Sequence, residues 1–176
     1  MTNLQPFDKM PFLNTAVVLL VGQEEKCVKK IVDAMLKAPK NFEVQIHVAP
    51  RLPLPKENEH LRPRIDMVVF IINFFSQPTL SELLSSLSKL DSHFFLGKVC
   101  FLEVRGGHVN QYGPKKITVQ KMAETYQSPL LFLSPDCEED VACVAHRLLH
   151  MLQICAGLVS GVSALDMVSV VKSPVF

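Results

Sequence analysis

The chain has 176 residues, which is the size of one compact domain with a single core. Eighteen basic and seventeen acidic residues give a formal net charge of +1, so no overall field favours nucleic acid, an anionic membrane or an acidic substrate. Hydrophobic residues make up 48% of the chain, which is high for a freely soluble protein of this size. This excess predicts apolar surface that a permanent protein partner covers.

Cysteine usage and the ends of the chain indicate an intracellular protein. Five widely spaced cysteines form no CxxC pair, which argues against a disulfide framework or a zinc site and predicts reduced core thiols. The N-terminus lacks the pattern of a secretory signal. The segment from Ile154 to Val171 contains two glycines and Asp166, so it is a poor membrane span. The cysteines are Cys27, Cys100, Cys137, Cys143 and Cys155.

The first predicted elements are a buried strand and an amphipathic helix. Thr15–Val21 is a continuous apolar run that ends at Gly22, which is typical of a central strand of a parallel sheet. Apolar residues then recur every three or four positions from Glu24 to Ala38, and Pro39 ends the helix.

An edge strand and a proline-rich loop follow. Phe42–Val48 alternates apolar and polar residues, which predicts a strand near the sheet edge with one buried face and with His47 at the surface. The segment 50–63 contains four prolines, so it can form neither helix nor inner strand and is interpreted as a loop or a partner-binding arm.

Strand and helix patterns then alternate to the end of the domain. Thr79 is predicted to be the N-cap of the second helix, and Gly157 to end the last one. The predicted elements are strands at Arg64–Asn73, Lys98–Val104 and Leu130–Leu133, and helices at Leu80–Leu90, Ile117–Tyr126 and Asp136–Ala156.

These repeated units predict one α/β domain over residues 1–176. Repeated right-handed crossovers place helices on both faces of a mostly parallel sheet, which is the three-layer, small-GTPase-like (Ras-like) sandwich. An N-terminal arm (1–13), the proline-rich loop (50–63) and an apolar C-terminal extension (158–176) are its additions.

The phosphate-binding motif of that fold is degenerate. The motif G-x-x-x-x-G-K-[ST] follows the first strand in nucleotide-binding proteins. Here Gly22 keeps the first glycine, but Cys27 occupies the second glycine position, Val28 the lysine position and Lys29 the Ser/Thr position. Two glutamates at 24 and 25 also bring the wrong charge for phosphates. The pattern predicts no nucleotide, magnesium or other cofactor, no small-molecule substrate and no catalytic residues.

Other chemical motifs are weak. The third apolar strand leads into Glu103-Val-Arg-Gly-Gly107, where a GTPase reads guanine with Asn-Lys-x-Asp. His146 and His150 share one helix face, but no third ligand type lies near them in the sequence, so they are interpreted as ordinary surface or core-edge histidines and no metal site is predicted.

Sequence blocks along almost the whole chain carry a family resemblance. They are Leu13-Asn-Thr-Ala16 leading into Leu19-Leu-Val-Gly22, Leu52-Pro-Leu-Pro55, Arg62-Pro-Arg-Ile-Asp66, Phe94-Phe-Leu-Gly-Lys-Val-Cys-Phe-Leu102, Thr125-Tyr-Gln-Ser-Pro-Leu-Leu131, and Gln153-Ile-Cys-Ala-Gly157 with Gly161-Val-Ser-Ala-Leu165. With these blocks the chain resembles the centromere protein M family. It departs from that family in the loop after Val104 and at the far C-terminus, which ends at Phe176 without an acidic tail.

The resemblance implies a pseudo-GTPase that folds like a small G protein and binds no GTP. It implies a non-catalytic subunit of the inner kinetochore, located in the nucleus at centromeres. The implied direct partner is the helical-repeat subunit centromere protein I, in an assembly with centromere proteins H and K. Because the net charge is close to zero, we expect no direct contact with nucleic acid. No membrane contact is expected either.

Two apolar stretches are candidates for the partner interface. Phe94 and Phe95 are expected to anchor in the core, which leaves Leu96 in a short surface connection. The extension after Gly157 runs beyond the usual end of a G-protein domain, and Leu165, Met167 and Val168 are its interface candidates. Packing of the extension on the domain itself is the competing interpretation.

Two other functions fit the residues alone. A divergent GTPase-like switch could bind nucleotide in an unusual way, although the substitutions from Cys27 to Lys29 argue against it. A scaffold adaptor built on the same degenerate fold is the other, and cellular location would distinguish it.

Overall fold

The computed structural model describes residues 3–73, 79–106 and 113–166. Its five strands form one sheet in the order β2-β1-β3-β4-β5, and every neighbouring pair is parallel. The strands are β1 (Thr15–Val21), β2 (Glu43–Ala49), β3 (Met67–Asn73), β4 (Val99–Val104) and β5 (Leu130–Leu133), and the helices are α1 (Glu25–Lys37), α2 (Thr79–Leu87), α3 (Gly113–Thr125) and α4 (Glu138–Cys155).

The three central strands are buried on both faces. Every residue of β1, β3 and β4 is buried, as their continuous apolar runs predict. Side chains alternate between the two faces, so each strand contributes to two separate apolar layers. In β1, for example, Val18 packs in one layer and Leu19 in the other.

Helices cover both faces of the sheet. One apolar layer contains residues of α1 and α4, such as Ile31 and Leu148, and the other contains residues of α2 and α3, such as Leu83 and Met122. The prediction of an α/β sandwich with a parallel sheet and helices on both faces is confirmed, and the arrangement is consistent with a Ras-like fold.

Strand β2 differs in part from its predicted pattern. It pairs with β1 alone among the described strands, so it is an edge strand as expected, and His47 is exposed. The predicted clean buried face is wrong, because Val44 and Ile46 are half-buried and Val48 is exposed. The end of an edge strand has fewer neighbours to cover it than a central strand has. The alternating sequence pattern therefore overestimates the burial of Val48.

Several helix ends also differ from prediction. Thr79 lies within α2 and is not its N-cap. The helix ends at Leu87, since Lys89 and Leu90 donate to carbonyls three residues back and tighten the chain into a turn. Helix α3 begins at Gly113, because a proline at position 114 is tolerated in a first helical turn.

The arm and the proline-rich loop both pack on the domain. Leu4 bridges to Leu90, and Phe7 lies over the guanidinium of Arg64. In the segment 50–63, a single 3₁₀ turn at Lys56–Asn58 departs from the prediction of no helix, and Leu52 is buried. A 3₁₀ turn needs only three residues, so closely spaced prolines leave room for it.

The prediction of core thiols holds for three cysteines and is wrong for two. Cys27, Cys100 and Cys155 are buried, whereas Cys137 and Cys143 are exposed. The exposed pair lies at the start and on the outer face of α4, where the helical period turns them away from the sheet. All five thiols are free.

Candidate functional site

The strand-to-helix connection at the carboxyl edge of the sheet is unusually short. Only residues 22–24 separate β1 from α1, so the helix already covers the positions where a phosphate loop would curve around its ligand. Cys27 and Val28 are buried helix residues, and the Val28 amide donates to the Glu24 carbonyl. Burial, then the charge of Glu24, raises the pKa of the Cys27 thiol to about 11. Lys29 is exposed.

The described residues leave little space at this edge. The cavity beside Gly22 and Glu24 has a volume of about 40 Å³, whereas ligand sites usually offer about 300–1,000 Å³. The Asn73 side-chain amide donates to the Glu24 carboxylate, and the Gln23 amide donates to Glu82. The position of a phosphate is therefore occupied by carboxylates that already have hydrogen-bond donors.

A larger groove opens at the opposite edge, where the strands begin. This basal groove has a volume of about 660 Å³ and is lined mainly by apolar atoms. Among the described residues, its walls are formed by five parts of the chain: residues 5–7 of the arm, Arg64 and Lys98 before their strands, the turn 91–96, the end of α4, and residues 162–165 of the extension.

The basal groove brings together two of the predicted interface residues. Phe94 is fully buried and Phe95 stacks on Tyr126 with ring centroids 4.6 Å apart, so the turn is anchored as expected. Leu96 remains 48% exposed and Leu165 is 56% exposed, and both line the groove. Sequence reasoning treated them as two separate candidates.

The described part of the extension packs on the domain through Ala164. That residue is buried, and its carbonyl oxygen lies so close to Gly97 that an added Cβ there would be 1.8 Å away. Ala164 therefore packs inward, in line with the competing interpretation, whereas Leu165 is exposed and stays a candidate for the interface. The other two candidates, Met167 and Val168, lie outside the described residues.

The basal groove is lined by two basic residues that sequence reasoning missed, Arg64 and Lys98, and the carboxylate of Asp66 pairs with Arg64. Asp66 is buried and accepts hydrogen bonds from the Val17 amide (2.9 Å) and the Arg64 Nε (3.0 Å). The Lys98 Nζ is buried beside them and donates to the Cys155 carbonyl at 2.6 Å. No local signal marks this cluster in the sequence, because a lysine next to an apolar strand is usually solvated.

Other candidate chemistry is weaker. A second groove of about 730 Å³ lies between β2 and the proline-rich loop. His146 and His150 are both exposed, and the described residues contain no group of three His, Cys, Asp or Glu side chains placed to hold a metal ion. Within the described ranges, none of the helices has the length and hydropathy to cross a bilayer.

Comparison with known proteins gives one consistent result. A family model described as "Centromere protein M (CENP-M)" matches residues 1–174. Centromere protein M of Xenopus laevis is 56% identical over 173 residues, covering 98% of this chain and 96% of the frog protein. The Homo sapiens protein is 46% identical over 98% of this chain and 95% of its own length, and that of Danio rerio 42% identical over 90% and 85%. The chain belongs to the centromere protein M family.

Proposed function

We propose that the chain is a non-catalytic structural subunit of the inner kinetochore, located in the nucleus at the centromere. Its direct partner is centromere protein I, within an assembly that also contains centromere proteins H and K. Membership of a centromere protein family supports the location. The observation that carries the binding role is the basal groove, where Leu96 and Leu165 are both exposed.

The groove has the chemistry of a protein interface. Large apolar side chains exposed in a concave surface are unfavourable in water. A partner that covers them lowers the free energy, because it removes apolar surface from water. Leu96 comes from an anchored turn, and Leu165 follows the buried Ala164, so neither must be ordered on binding. Hot spots of an interface cluster near its centre in desolvated pockets, and residues that are already ordered lose less entropy on binding.

Absence of nucleotide binding is the second part of the proposal. The described residues at the carboxyl edge offer a cavity of about 40 Å³ and a carboxylate, Glu24, beside it. A phosphate site needs backbone amides that are free to donate, and it needs positive charge. The amide of Val28 instead donates to the Glu24 carbonyl in the first turn of α1. This geometry disfavours the GTPase-like switch. The scaffold-adaptor alternative has no specific observation in its favour.

The decisive experiment is co-expression of the full-length chain with centromere protein I. We expect Leu165→Glu to raise the Kd of the complex about 30-fold or more, because a carboxylate would replace an apolar anchor. Leu36→Glu is the matched control, since Leu36 is 53% exposed on α1 and does not line the groove. Both variants are checked for an unchanged melting temperature.

Either of two outcomes contradicts the proposal. A folded Leu165→Glu variant that co-purifies with centromere protein I at wild-type yield would remove the basal groove from the interface. Saturable, magnesium-dependent binding of a fluorescent GTP analogue to the wild-type chain would revive the switch.

A further inference from the structure

Lys98 is an unusual residue for the floor of an apolar groove. It is 6% exposed, the lowest exposure of any lysine that the structure describes, and it lies directly before β4. Its Nζ donates to the Cys155 carbonyl at 2.6 Å and lies 4.5 Å from the centroid of the Phe7 ring. An ammonium group has three N–H donors, and here its direct contacts are one neutral acceptor and one ring face, with no anion among them.

No carboxylate of the described residues forms an ion pair with Lys98. The ion pairs in this part of the chain join Arg64 to Asp66 and His93 to Asp91, and none includes Lys98. The charge of Asp66 favours the charged form of Lys98, but the Asp66 carboxylate pairs with Arg64 and accepts from the Val17 amide. The carboxylate of Asp91, at the rim of the groove, holds the backbone and ring of His93.

The thiol beside Lys98 does not act as its counter-ion either. Burial is the main reason that the pKa of Cys155 is raised to about 12, so the thiol is neutral at physiological pH. Burial likewise lowers the pKa of Lys98 below its ordinary value. The cluster of Arg64, Asp66 and Lys98 therefore contains two cations and one anion. The excess positive charge is costly in a site removed from water.

We propose that the basal groove binds a partner segment in which apolar side chains flank one Asp or Glu, and that this carboxylate pairs with the Lys98 ammonium. The proposal rests on the proposed function, and it specifies the chemistry of the partner. Apolar residues of the segment cover Leu96 and Leu165, while the carboxylate completes the hydrogen bonds of Lys98. The Phe7 ring stays beside the ammonium or yields to the carboxylate, which is the stronger partner for a desolvated cation.

The test replaces Lys98 by a neutral side chain of similar length. In the co-expressed complex with centromere protein I, Lys98→Met should raise the Kd about 30-fold or more, because the carboxylate of the partner would stay buried without a cation. The melting temperature of the free chain should change little, since the substitution removes a desolvated charge together with the hydrogen bond to the Cys155 carbonyl, and these two effects oppose each other. Lys26→Met is the matched control, because Lys26 is exposed on α1, outside the groove, and the change in net charge is identical.

A parallel Leu165→Glu measurement distinguishes the two proposals. If Lys98→Met binds like wild type while Leu165→Glu does not bind, the groove is the interface but uses no carboxylate, and this inference is overturned. If Leu165→Glu binds like wild type, the proposed function itself fails.

A second measurement leaves the wild-type chain untouched, so it stands even if Lys98→Met does not fold. Each Asp and Glu of the partner is changed to Asn or Gln in turn. We expect one such change to weaken the complex as strongly as Lys98→Met. If every amide variant of the partner binds with wild-type affinity, the inference is wrong.

Discussion

Gly97 allows the two walls of the basal groove to meet. Its φ is +92°, a backbone conformation that side-chain-bearing residues rarely adopt. A Cβ at this position would also lie 1.8 Å from the Ala164 carbonyl oxygen, which is impossible without displacing the extension. The missing side chain at Gly97 therefore allows the extension to approach closely enough that Leu165 and Leu96 line the same groove.

Gly97→Ala is expected to destabilise the chain and to separate those walls. The strain of a positive φ costs about 1–3 kcal/mol, and the collision with the extension adds about 1–3 kcal/mol. Gly161→Ala isolates the first effect, since Gly161 has a φ of +76° but no atom within 4 Å of an added Cβ. Urea denaturation and the Kd for centromere protein I are the measurements. Equal losses for the two variants would contradict the role given to Gly97.

At the scale of residues, sequence reasoning found side chains by their hydrophobicity and missed those whose meaning depends on neighbours. Leu96 and Leu165 are apolar residues in segments that have to lie near the surface, so both could be proposed from the sequence. Lys98 could not, because a lysine next to a strand is usually solvated. Its burial follows from the arm, α4 and the turn 91–96 meeting around it, which no local pattern contains.

The start of α1 determines the character of the carboxyl edge. Helix formation from Glu25 places Cys27 and Val28 on the core face, at spacing that continues through Ile31 and Met35. The segment that follows Gly22 is therefore part of a packed helix, which is stabilised by burial of its apolar face. Restoring the consensus residues changes the core before it changes the loop.

The triple substitution Cys27→Gly, Val28→Lys, Lys29→Ser tests this point. We expect no binding of magnesium GTP, and a loss of stability of several kcal/mol, because a glycine interrupts the helix and a lysine enters an apolar layer. A fluorescent GTP titration and thermal unfolding measure the two effects. Saturable GTP binding by a folded variant would show that residue identity, rather than the position of α1, prevents binding.

At the scale of elements, type and order were predictable, whereas ends and edges were less so. Local sequence alone identifies five of the elements. The signals are the continuous apolar runs of β1, β3 and β4 and the helical periodicity of α1 and α4. The end of α2 and the exposure of Val48 depend on what packs against them, so they differ from prediction. A local sequence pattern does not show which other elements cover the end of an edge strand.

The whole molecule consists of two apolar layers that share one sheet. Phe101 and Leu102 are neighbours in β4, yet each belongs to a different layer. Disruption of either layer therefore loosens the same strands, which couples the two sides of the domain. A single cooperative unfolding transition follows from this shared sheet.

Leu148→Ala and Phe101→Ala test that coupling from opposite sides. Both side chains are fully buried, Leu148 in α4 and Phe101 in β4. We expect losses of about 2–5 kcal/mol and about 3–5 kcal/mol in the free energy of unfolding, with one urea transition in each variant. Circular dichroism and tyrosine fluorescence should report the same midpoint. Separate midpoints would mean that the layers unfold independently.

The sequence by itself determined the α/β class, the buried strands, the absence of a G-x-x-x-x-G-K-[ST] pattern after β1 and the family, because each depends on residue type and spacing along the chain. The tertiary structure decided that Leu96 and Leu165 share one groove, that Ala164 is packed while Leu165 is exposed, and that Lys98 is buried without an ion pair among the described residues. These properties arise where segments distant in the chain meet. Burial and charge compensation are set by that meeting, since they depend on the distances between atoms and on the exclusion of water.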